Sequence, residues 1–304
     1  MRATIWGCRG SLAAPGPETV AYGGNTSCVE LELADGSVVV LDAGTGIRAL
    51  GLEMAKRPPA PIHLCLTHLH LDHLEGLGFF LPLWTEGAEL HIWGPASAIE
   101  SLENRIARYM SPPLFPVQLS EVPSRITFHD VSDEEWRLGS SRVLAEAVAH
   151  RGPTVGYRFE EGDVSLAYVP DHEPYLGEDD PASVDPAWLS GYGVAREATV
   201  LMHDAQYFEE EYAERMGWGH SSVSHAVEFA RASHVGELVL FHHDPLHTDA
   251  DLRRLEAQAR RQWPSADAAP RLAREGMRVE LAADADDDLS GPAVSGFEPS
   301  LTPP

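Results

Sequence analysis

At 304 residues, the chain is long enough for one large domain or two small ones, and its 43% hydrophobic content can form a buried core. Its 22 Lys and Arg residues stand against 47 Asp and Glu residues, and the resulting formal charge of −25 disfavours a long nucleic-acid partner. A small anion held by metal ions is still allowed, because a bound dication outweighs the surrounding protein field at short range.

Cysteine usage and hydropathy bear on the cellular compartment. Cys8, Cys28 and Cys65 lie at wide spacings with no C-x-x-C pair, which favours a reducing compartment over a disulfide framework. No apolar run approaches the roughly 18 residues needed to cross a bilayer, and the N-terminal residues lack the pattern of a signal peptide. We therefore expect a cytoplasmic protein with no membrane partner.

Short apolar runs recur between turn residues, and their β-branched content predicts strands. In chain order these runs are residues 4–6, 28–33, 38–41, 63–66, 90–93, 155–159, 164–169, 199–202 and 237–241. Helices are fewer, and the best candidates are residues 96–109, 222–232 and 250–263. Strands that outnumber helices in this way predict two packed sheets with helices outside.

The chain changes character at residue 282. From there to residue 304 it is acidic, rich in Pro, Gly and Ser, and too poor in apolar side chains to repay the entropy of ordering. We therefore predict a catalytic domain over residues 1–281 and a disordered tail over residues 282–304. A second Pro-rich stretch, residues 111–124, contains Leu114, Phe115 and Val117 and is predicted to be a packed loop.

Four potential metal ligands fall within six positions after a predicted strand, in the string His68-Leu69-His70-Leu71-Asp72-His73. Composition alone would place such a string somewhere in a chain like this roughly twice in a thousand cases. Alternation at a strand end would put His68 and His70 on one side, and a tight turn would return Asp72 and His73 to a neighbouring point. Imidazole and carboxylate together suit Zn²⁺, Mn²⁺ or Fe²⁺, and the absence of Cys argues against a structural thiolate site.

This string cannot complete two metal sites, so further ligands must come from distant strand ends. His150, Asp171 and His242 each follow an apolar run, where the edge of a sheet would present them at a common rim. His243 directly follows His242, and a boundary error of one or two residues leaves either histidine as the ligand.

The order H-x-H-x-D-H, strand-end His, strand-end Asp and late strand-end His resembles the metallo-β-lactamase superfamily over residues 6–249. The segments WGCRGS, YGGNTSC, LDAGTGIRAL, and GWGHSS followed by LVLFHHDP are similar to its phosphodiesterase branch. That branch includes ribonuclease Z, phosphoribosyl cyclic phosphodiesterase and class II cyclic-nucleotide phosphodiesterases. The resemblance implies an α/β fold, the αββα sandwich, with a dinuclear metal site at one edge.

The resemblance also implies roles for individual residues. One metal ion would be held by His68, His70 and His150, the other by Asp72, His73 and His242, and both by a bridging Asp171. Matching to the family favours His242 over His243 and gives Asp42 a supporting role. The expected cofactors are two divalent ions, with Zn²⁺ favoured and Mn²⁺ or Fe²⁺ as alternatives.

A hydroxide that bridges two metal ions can attack an ester, but it does not protonate the leaving alkoxide. The segments MHDA at residues 202–205 and GWGHSS at residues 217–222 are similar to two motifs that ribonuclease Z-like enzymes carry for this step. By that match His220 would be the general acid and Asp204 the carboxylate that orients it, and Asp72 is counted as catalytic as well as metal-binding. A purely structural His220–Asp204 pair is the alternative.

The expected function is hydrolysis of a small anionic phosphodiester, such as a cyclic nucleotide or a cyclic ribose phosphate. Ribonuclease Z activity is less favoured, because residues 173–197, where a tRNA-gripping arm would be sought, are short and acidic, whereas phosphate contacts require Lys and Arg. The main alternative is hydrolysis of a carboxyl ester, lactone, thioester or β-lactam on the same metal site. A non-catalytic metal sensor is a third reading, and a homodimer is allowed.

Overall fold

Fourteen strands and six α-helices form most of the computed structural model, which describes residues 1–177, 183–263 and 268–281. The strands are β1 (Arg2–Gly7), β2 (Cys28–Glu32), β3 (Val38–Leu41), β4 (Ile62–Cys65), β5 (Glu89–Pro95), β6 (Arg125–Val131), β7 (Glu134–Leu138), β8 (Ser141–Ala147), β9 (Val155–Glu161), β10 (Val164–Val169), β11 (Val200–Asp204), β12 (Glu237–Phe241), β13 (Arg271–Leu272) and β14 (Arg278–Glu280). The α-helices are α1 (Ile47–Met54), α2 (Leu102–Tyr109), α3 (Tyr192–Ala195), α4 (Glu209–Arg215), α5 (Val223–Ala232) and α6 (Asp249–Gln262).

The strands form two seven-stranded sheets, in the orders β14-β1-β2-β3-β4-β5-β6 and β13-β12-β11-β10-β9-β8-β7. In each sheet one half is antiparallel and the other parallel: β3 to β6 run parallel in the first sheet, and β10 to β13 in the second. Side chains in open α/β sheets form sites beyond the carboxyl ends of such parallel strands. The topology therefore places any site at the ends of β3, β4, β10, β11 and β12.

Three hydrophobic clusters divide the molecule into layers. One lies between the two sheets and includes Ile5, Phe159 and Phe241. Another packs α5 and α6 on the outer face of the second sheet, and the third packs α1 and α2 on the outer face of the first. Strand β10 is buried along its whole length because both of its faces are covered. The layers follow the order helix, sheet, sheet, helix.

This arrangement confirms the predicted αββα sandwich, and the predicted strands recur within one or two residues at most ends. The helix predicted over residues 96–109 begins only at Leu102, because the Ser101 hydroxyl accepts a hydrogen bond from the backbone of Asn104 and caps it there. Helices α1, α3 and α4 and strands β6, β7, β8, β13 and β14 were not among the predicted elements. The Pro-rich stretch is a loop that packs through Phe115, which is buried against α2 and its neighbours, and through the partly buried Val117, whereas Leu114 is exposed.

Two further expectations concern the C-terminal tail and membrane-spanning helices. The predicted tail, residues 282–304, lies outside the described residues. Within residues 1–177, 183–263 and 268–281, no helix combines the length and the apolar character that a membrane span requires.

Candidate metal centre and active site

The predicted ligands meet at the rim where the parallel strands of both sheets end. Asp42 directly follows β3, Asp171 follows β10 by two residues, and His242 directly follows β12. Asp204 is the last residue of β11, and His150 follows β8 by three residues. Each is carried to the same rim by a separate strand, so the cluster forms only when the two sheets pack together.

The H-x-H-x-D-H string is not a strand end, which corrects the expected alternation. Strand β4 ends at Cys65, and Leu71–His73 is a turn of 3₁₀ helix. Asp42 fixes the turn between them, because its carboxylate accepts hydrogen bonds from the backbone N–H and the hydroxyl of Thr67, at 2.8 and 3.0–3.1 Å. The string therefore converges through a buttressed turn instead of through strand periodicity.

Five overlapping groups of ligand atoms share this rim, two of them include His220, and another two match the two ligand sets that the resemblance implies. His70 Nδ1 and His150 Nε2 lie 3.2 Å apart, and His68 completes a group whose ligand atoms all lie within 4.8 Å of one another. The second group combines Asp72, His73 and His242, with the Nε2 atoms of His73 and His242 3.3 Å apart.

Asp171 lies between the two groups. One carboxylate oxygen is 3.0 Å from His73 Nε2, and the other is 3.2 Å from His242 Nε2 and 3.7 Å from both His68 Nε2 and His150 Nε2. The seven predicted ligand residues are thus brought together, with Asp171 between the two groups.

Hydrogen bonds fix which nitrogen each histidine presents. His73 Nδ1 donates to Asp42 at 2.8 Å, His150 Nδ1 to the carbonyl of Gly219 at 2.6 Å, and His242 Nδ1 to the amide oxygen of Gln206 at 2.9 Å. In each neutral ring the Nε2 lone pair then faces the cluster. Such outer partners orient histidines that bind metal ions.

These atoms fit a divalent cation. Ring nitrogens that lie 3.2–3.3 Å apart need a proton or a metal cation between them, and His68 Nε2 is buried with no hydrogen-bond partner among the described residues. Two nitrogens bound to one tetrahedral Zn²⁺ at roughly 2.0–2.1 Å would lie about 3.3 Å apart, which matches both pairs. Imidazole and carboxylate donors suit Zn²⁺, Mn²⁺ or Fe²⁺.

Electrostatics favour the metal-binding protonation states of His68, His150 and Asp171, but favour the protonated ring of His73. Burial lowers the pKa of His150 to about 4 and holds the pKa of His68 well below its usual value. Burial opposes ionisation of Asp171, but His242, His73 and His68 outweigh it and hold the Asp171 pKa well below the usual range. For His73, burial is outweighed by Asp171, Asp72 and Asp42, which raise its pKa. The carboxylates at the rim therefore favour a positive charge close to them.

His220 stands beside this cluster as half of a buried pair. Its Nδ1 donates to Asp204 at 2.7 Å, and its ring stacks on that of His242 at a centroid distance of 4.9 Å. Burial lowers the His220 pKa, but the charges of Asp204, Asp171 and Asp72 outweigh burial and raise it to about 9. These carboxylates therefore favour the protonated form of the His220 ring.

Close packing leaves no room for side chains at two glycines of the rim. A Cβ on Gly10 would lie 2.2 Å from the ring of His242. Gly219 has φ +94°, and a Cβ there would lie 2.4 Å from His150 Nδ1. Only glycine can hold the close approach and the left-handed backbone that let the Gly219 carbonyl reach His150.

The structure places two other histidines away from the cluster. His243 donates from Nε2 to the carbonyl of Ala273, and burial lowers its pKa to about 3, whereas His242 faces the ligands. His172, which directly follows Asp171, is fully buried with Nδ1 2.9 Å from His203 Nε2.

Sequence reasoning missed the residues that support the site. Gln206 orients His242, and the Glu173 carboxylate accepts from the backbone N–H groups of Gly217 and Gly219 at 2.7 Å, which holds the loop before His220. No pattern marked Gln206. Glu173 follows Asp171 by two residues, but a carboxylate that binds backbone amides gives no sequence signal.

A cavity of about 710 Å³ opens beside His220. It is lined by Ser11, Arg151, Gln206, Tyr207, Arg215, Trp218, His220, Asp244, Pro245 and Leu246. Ser11 donates its backbone N–H to Asp72 at 2.7 Å, so the cavity also reaches the metal ligands. A substrate held there has access to both the ligand cluster and His220.

The fold and this site are those of a metal-dependent hydrolase. A family model described as a beta-lactamase superfamily domain matches residues 38–243, and the chain therefore belongs to the metallo-β-lactamase superfamily, as its motifs predicted.

Known proteins of three kinds resemble it. Ribonuclease Z of Methanopyrus kandleri is 28% identical over 273 residues, which cover 81% of this chain and 88% of that one. The metallo-β-lactamase fold protein YhfI of Bacillus subtilis superposes with a TM-score of 0.65 at 17% identity, over 92% of this chain and 99% of that one. A diphosphatase from the PhnP family superposes with a TM-score of 0.64 at 18% identity, over 92% and 98%. These matches support the phosphodiesterase branch and imply divalent metal ions in the cluster.

Proposed function

We propose that this chain hydrolyses a small phosphodiester and that His220 protonates the leaving oxygen. The observation that carries the proposal is the His220–Asp204 pair, buried beside the ligand cluster with a 2.7 Å hydrogen bond. Phosphodiesters have poor alkoxide leaving groups, so a positioned acid is worth about 10² to 10⁴ in rate. A carbonyl substrate with a good leaving group would need this pair less.

Seven residues of the chain would hold the metal ions. His68, His70 and His150 would hold one ion; Asp72, His73 and His242 the other; and Asp171 both. When bound, divalent ions supply a nucleophile from water at neutral pH and offset charge on a phosphate. Two ions per chain, with Zn²⁺ favoured by its affinity for such donors, are part of the proposal.

The hydrogen bonds of Asp204 position its carboxylate to favour the cationic form of His220. Besides His220, its carboxylate accepts from the backbone N–H groups of His172, Gln206 and Ser221, at 3.0–3.2 Å. Four hydrogen bonds leave the carboxylate little freedom to rotate, so the His220 ring is fixed as well. The proton on Nε2 is therefore aimed at one point next to the ligand cluster.

A second candidate, cleavage of RNA, rests on the relatives named ribonuclease Z. The small-substrate proposal is preferred because the formal charge of −25 repels a long polyanion over most of the surface. Both candidates use the same acid and ligand cluster, and only the substrate separates them.

The test is a substrate panel run with metal-loaded, full-length protein. It contains bis-p-nitrophenyl phosphate, cyclic AMP, a precursor tRNA, a lactone and a thioester, with Asp171→Ala as the inactive control. We expect turnover of the small diesters with a higher kcat/KM than for any other member. A higher kcat/KM for the precursor tRNA would establish the second candidate, and preference for the lactone or thioester would refute a phosphodiesterase.

A further inference from the structure

From the cavity beside His220 we infer that the substrate is a nucleotide with a second phosphate, its base stacked on Trp218 and that phosphate bound by Arg151 and Arg215. This inference rests on the proposed function and names the substrate class for the same site. It depends on three side chains that neither the ligand cluster nor the proton transfer uses.

Trp218 is the first of these side chains. It lies two residues before His220, lines the same cavity and has 55% of its surface exposed. His220 is only 9% exposed and therefore lies deeper in the cavity. A large flat ring at the mouth, next to the proposed proton donor, is suited to stack on a nucleobase.

The two arginines flank the same loop. Arg151 Nε donates to the carbonyl of Gly217 at 2.8 Å, and the carbonyl of Arg215 accepts from the backbone of Trp218 at 3.0 Å. The Arg215 guanidinium lies 5.1 Å from the centroid of the Tyr207 ring. Within residues 1–177, 183–263 and 268–281, neither guanidinium has a carboxylate within 4.0 Å.

More positive than negative side chains line the cavity, whereas the chain as a whole is strongly negative. Two arginines line it in a protein of formal charge −25, and the one carboxylate among its lining residues, Asp244, already accepts from Leu246 and Gln206. The ligand cluster accounts for the reacting phosphate. Both guanidinium groups donate to backbone carbonyls, Arg151 to Gly217 and Arg215 to Glu211 at 3.2 Å, but neither has a carboxylate partner among the described residues. They therefore fit a further anionic group, and guanidinium binds phosphate with two hydrogen bonds.

Three substrates with the same p-nitrophenolate leaving group separate these contributions: methyl p-nitrophenyl phosphate, the p-nitrophenyl ester of thymidine 5′-phosphate, and that ester with an added 3′-phosphate. Since this leaving group needs little protonation, the comparison measures binding of the base and of the second phosphate. For metal-loaded protein we expect kcat/KM to rise about tenfold with the base and about tenfold again with the 3′-phosphate.

Three variants test which side chain provides each gain in kcat/KM. Trp218→Ala should remove the gain from the base, and Arg151→Gln and Arg215→Gln should each reduce the gain from the 3′-phosphate, with turnover of the methyl ester unchanged in all three. Matched controls are Trp188→Ala, an exposed tryptophan outside the cavity, and Arg137→Gln on β7, which should change neither ratio.

The outcomes separate the two proposals. Equal kcat/KM for the three substrates, or a variant that lowers all three equally, would overturn the nucleotide assignment and leave the phosphodiesterase standing. No turnover of any of the three by metal-loaded protein would refute the phosphodiesterase itself.

Discussion

At the scale of single residues, His220 is where the proposed chemistry differs from that of a general metallohydrolase. The imidazole is held by Asp204 and stacked on His242, so its removal takes away a proton donor without removing a proposed ligand. His220→Ala should slow hydrolysis of an alkyl diester by about 10² to 10⁴. Hydrolysis of bis-p-nitrophenyl phosphate should fall much less, because p-nitrophenolate leaves without a proton.

The ratio of the two losses is the measurement, together with metal content. Asp204→Asn should reproduce the pattern more weakly, because the ring keeps its place but loses the charge that favours its protonated form. Equal losses on both substrates would assign His220 a structural role. No loss on either would favour carboxyl hydrolysis.

At the scale of secondary-structure elements, strand ends and helix caps position the functional groups. Helix α6 leaves the rim directly after the loop that follows His242, and it begins with a capping box. Thr248 Oγ1 accepts from the backbone of Asp251 at 3.2 Å, and the Asp251 carboxylate accepts from the backbone of Thr248 at 3.0 Å. Hydrogen bonds from Thr248, and then from Arg254, lower the Asp251 pKa to about 2.

This cap predicts that part of the free energy of unfolding is lost at low pH. The Asp251 pKa is lower in the folded state than its unfolded value of about 3.9, so its contribution is complete above pH 4 and is lost as the pH falls toward 2. Asp251→Asn should therefore lower the free energy of unfolding at pH 6 by up to about 1 kcal/mol, less where solvent screens the partly exposed carboxylate. Urea unfolding at pH 6 and pH 3 measures it.

The exposed Asp163, in the turn between β9 and β10, provides the matched control Asp163→Asn. That change should have no measurable effect at either pH. A difference between wild type and Asp251→Asn that grew on acidification would contradict the direction of the pKa shift.

At the scale of the whole molecule, the ligand cluster joins the two sheets. His68, His70, Asp72 and His73 follow a strand of the first sheet, whereas His150, Asp171 and His242 follow strands of the second. An ion bound at 1,000 times its Kd adds about 4 kcal/mol to the free energy of unfolding. Chelation should therefore lower the melting temperature by on the order of 10 °C.

Metal analysis should find close to two transition-metal ions per chain. Asp171→Ala should lower both metal occupancy and melting temperature, whereas Asp163→Ala should change neither. Full occupancy and activity in Asp171→Ala would show that the bridging assignment is wrong, and a melting temperature unaffected by chelator would argue against a metal link between the sheets.

The predicted acidic tail gives a further prediction at this scale. Deleting residues 282–304 should leave turnover and melting temperature nearly unchanged, because that segment offers little apolar area to bury. Differential scanning calorimetry of the full-length and shortened chains measures the effect. A large drop in melting temperature would show that the tail docks on the domain.

The sequence by itself determined the class of fold, the family, and the residues proposed as ligands and acid. Apolar runs and the polar residues after them are local signals for the strands and the rim, whereas the family, the ligand sets and the roles of His220 and Asp204 came from the resemblance of the motifs. Helix α1, eight residues that directly follow Gly44-Thr45-Gly46, was not predicted. The start of α2 was misplaced because Ser101, five residues into the predicted helix, caps it.

Only the tertiary structure separated His242 from His243 by their contacts: His242 Nδ1 contacts Gln206, whereas His243 Nε2 donates to the carbonyl of Ala273. It also supplied Gln206, Glu173 and the Gly219 carbonyl, whose roles depend on contacts between residues 36 to 69 positions apart. Trp218, Arg151 and Arg215 share one cavity for the same reason. Contacts between distant segments form only when the two sheets pack together, and no local pattern in the chain encodes them.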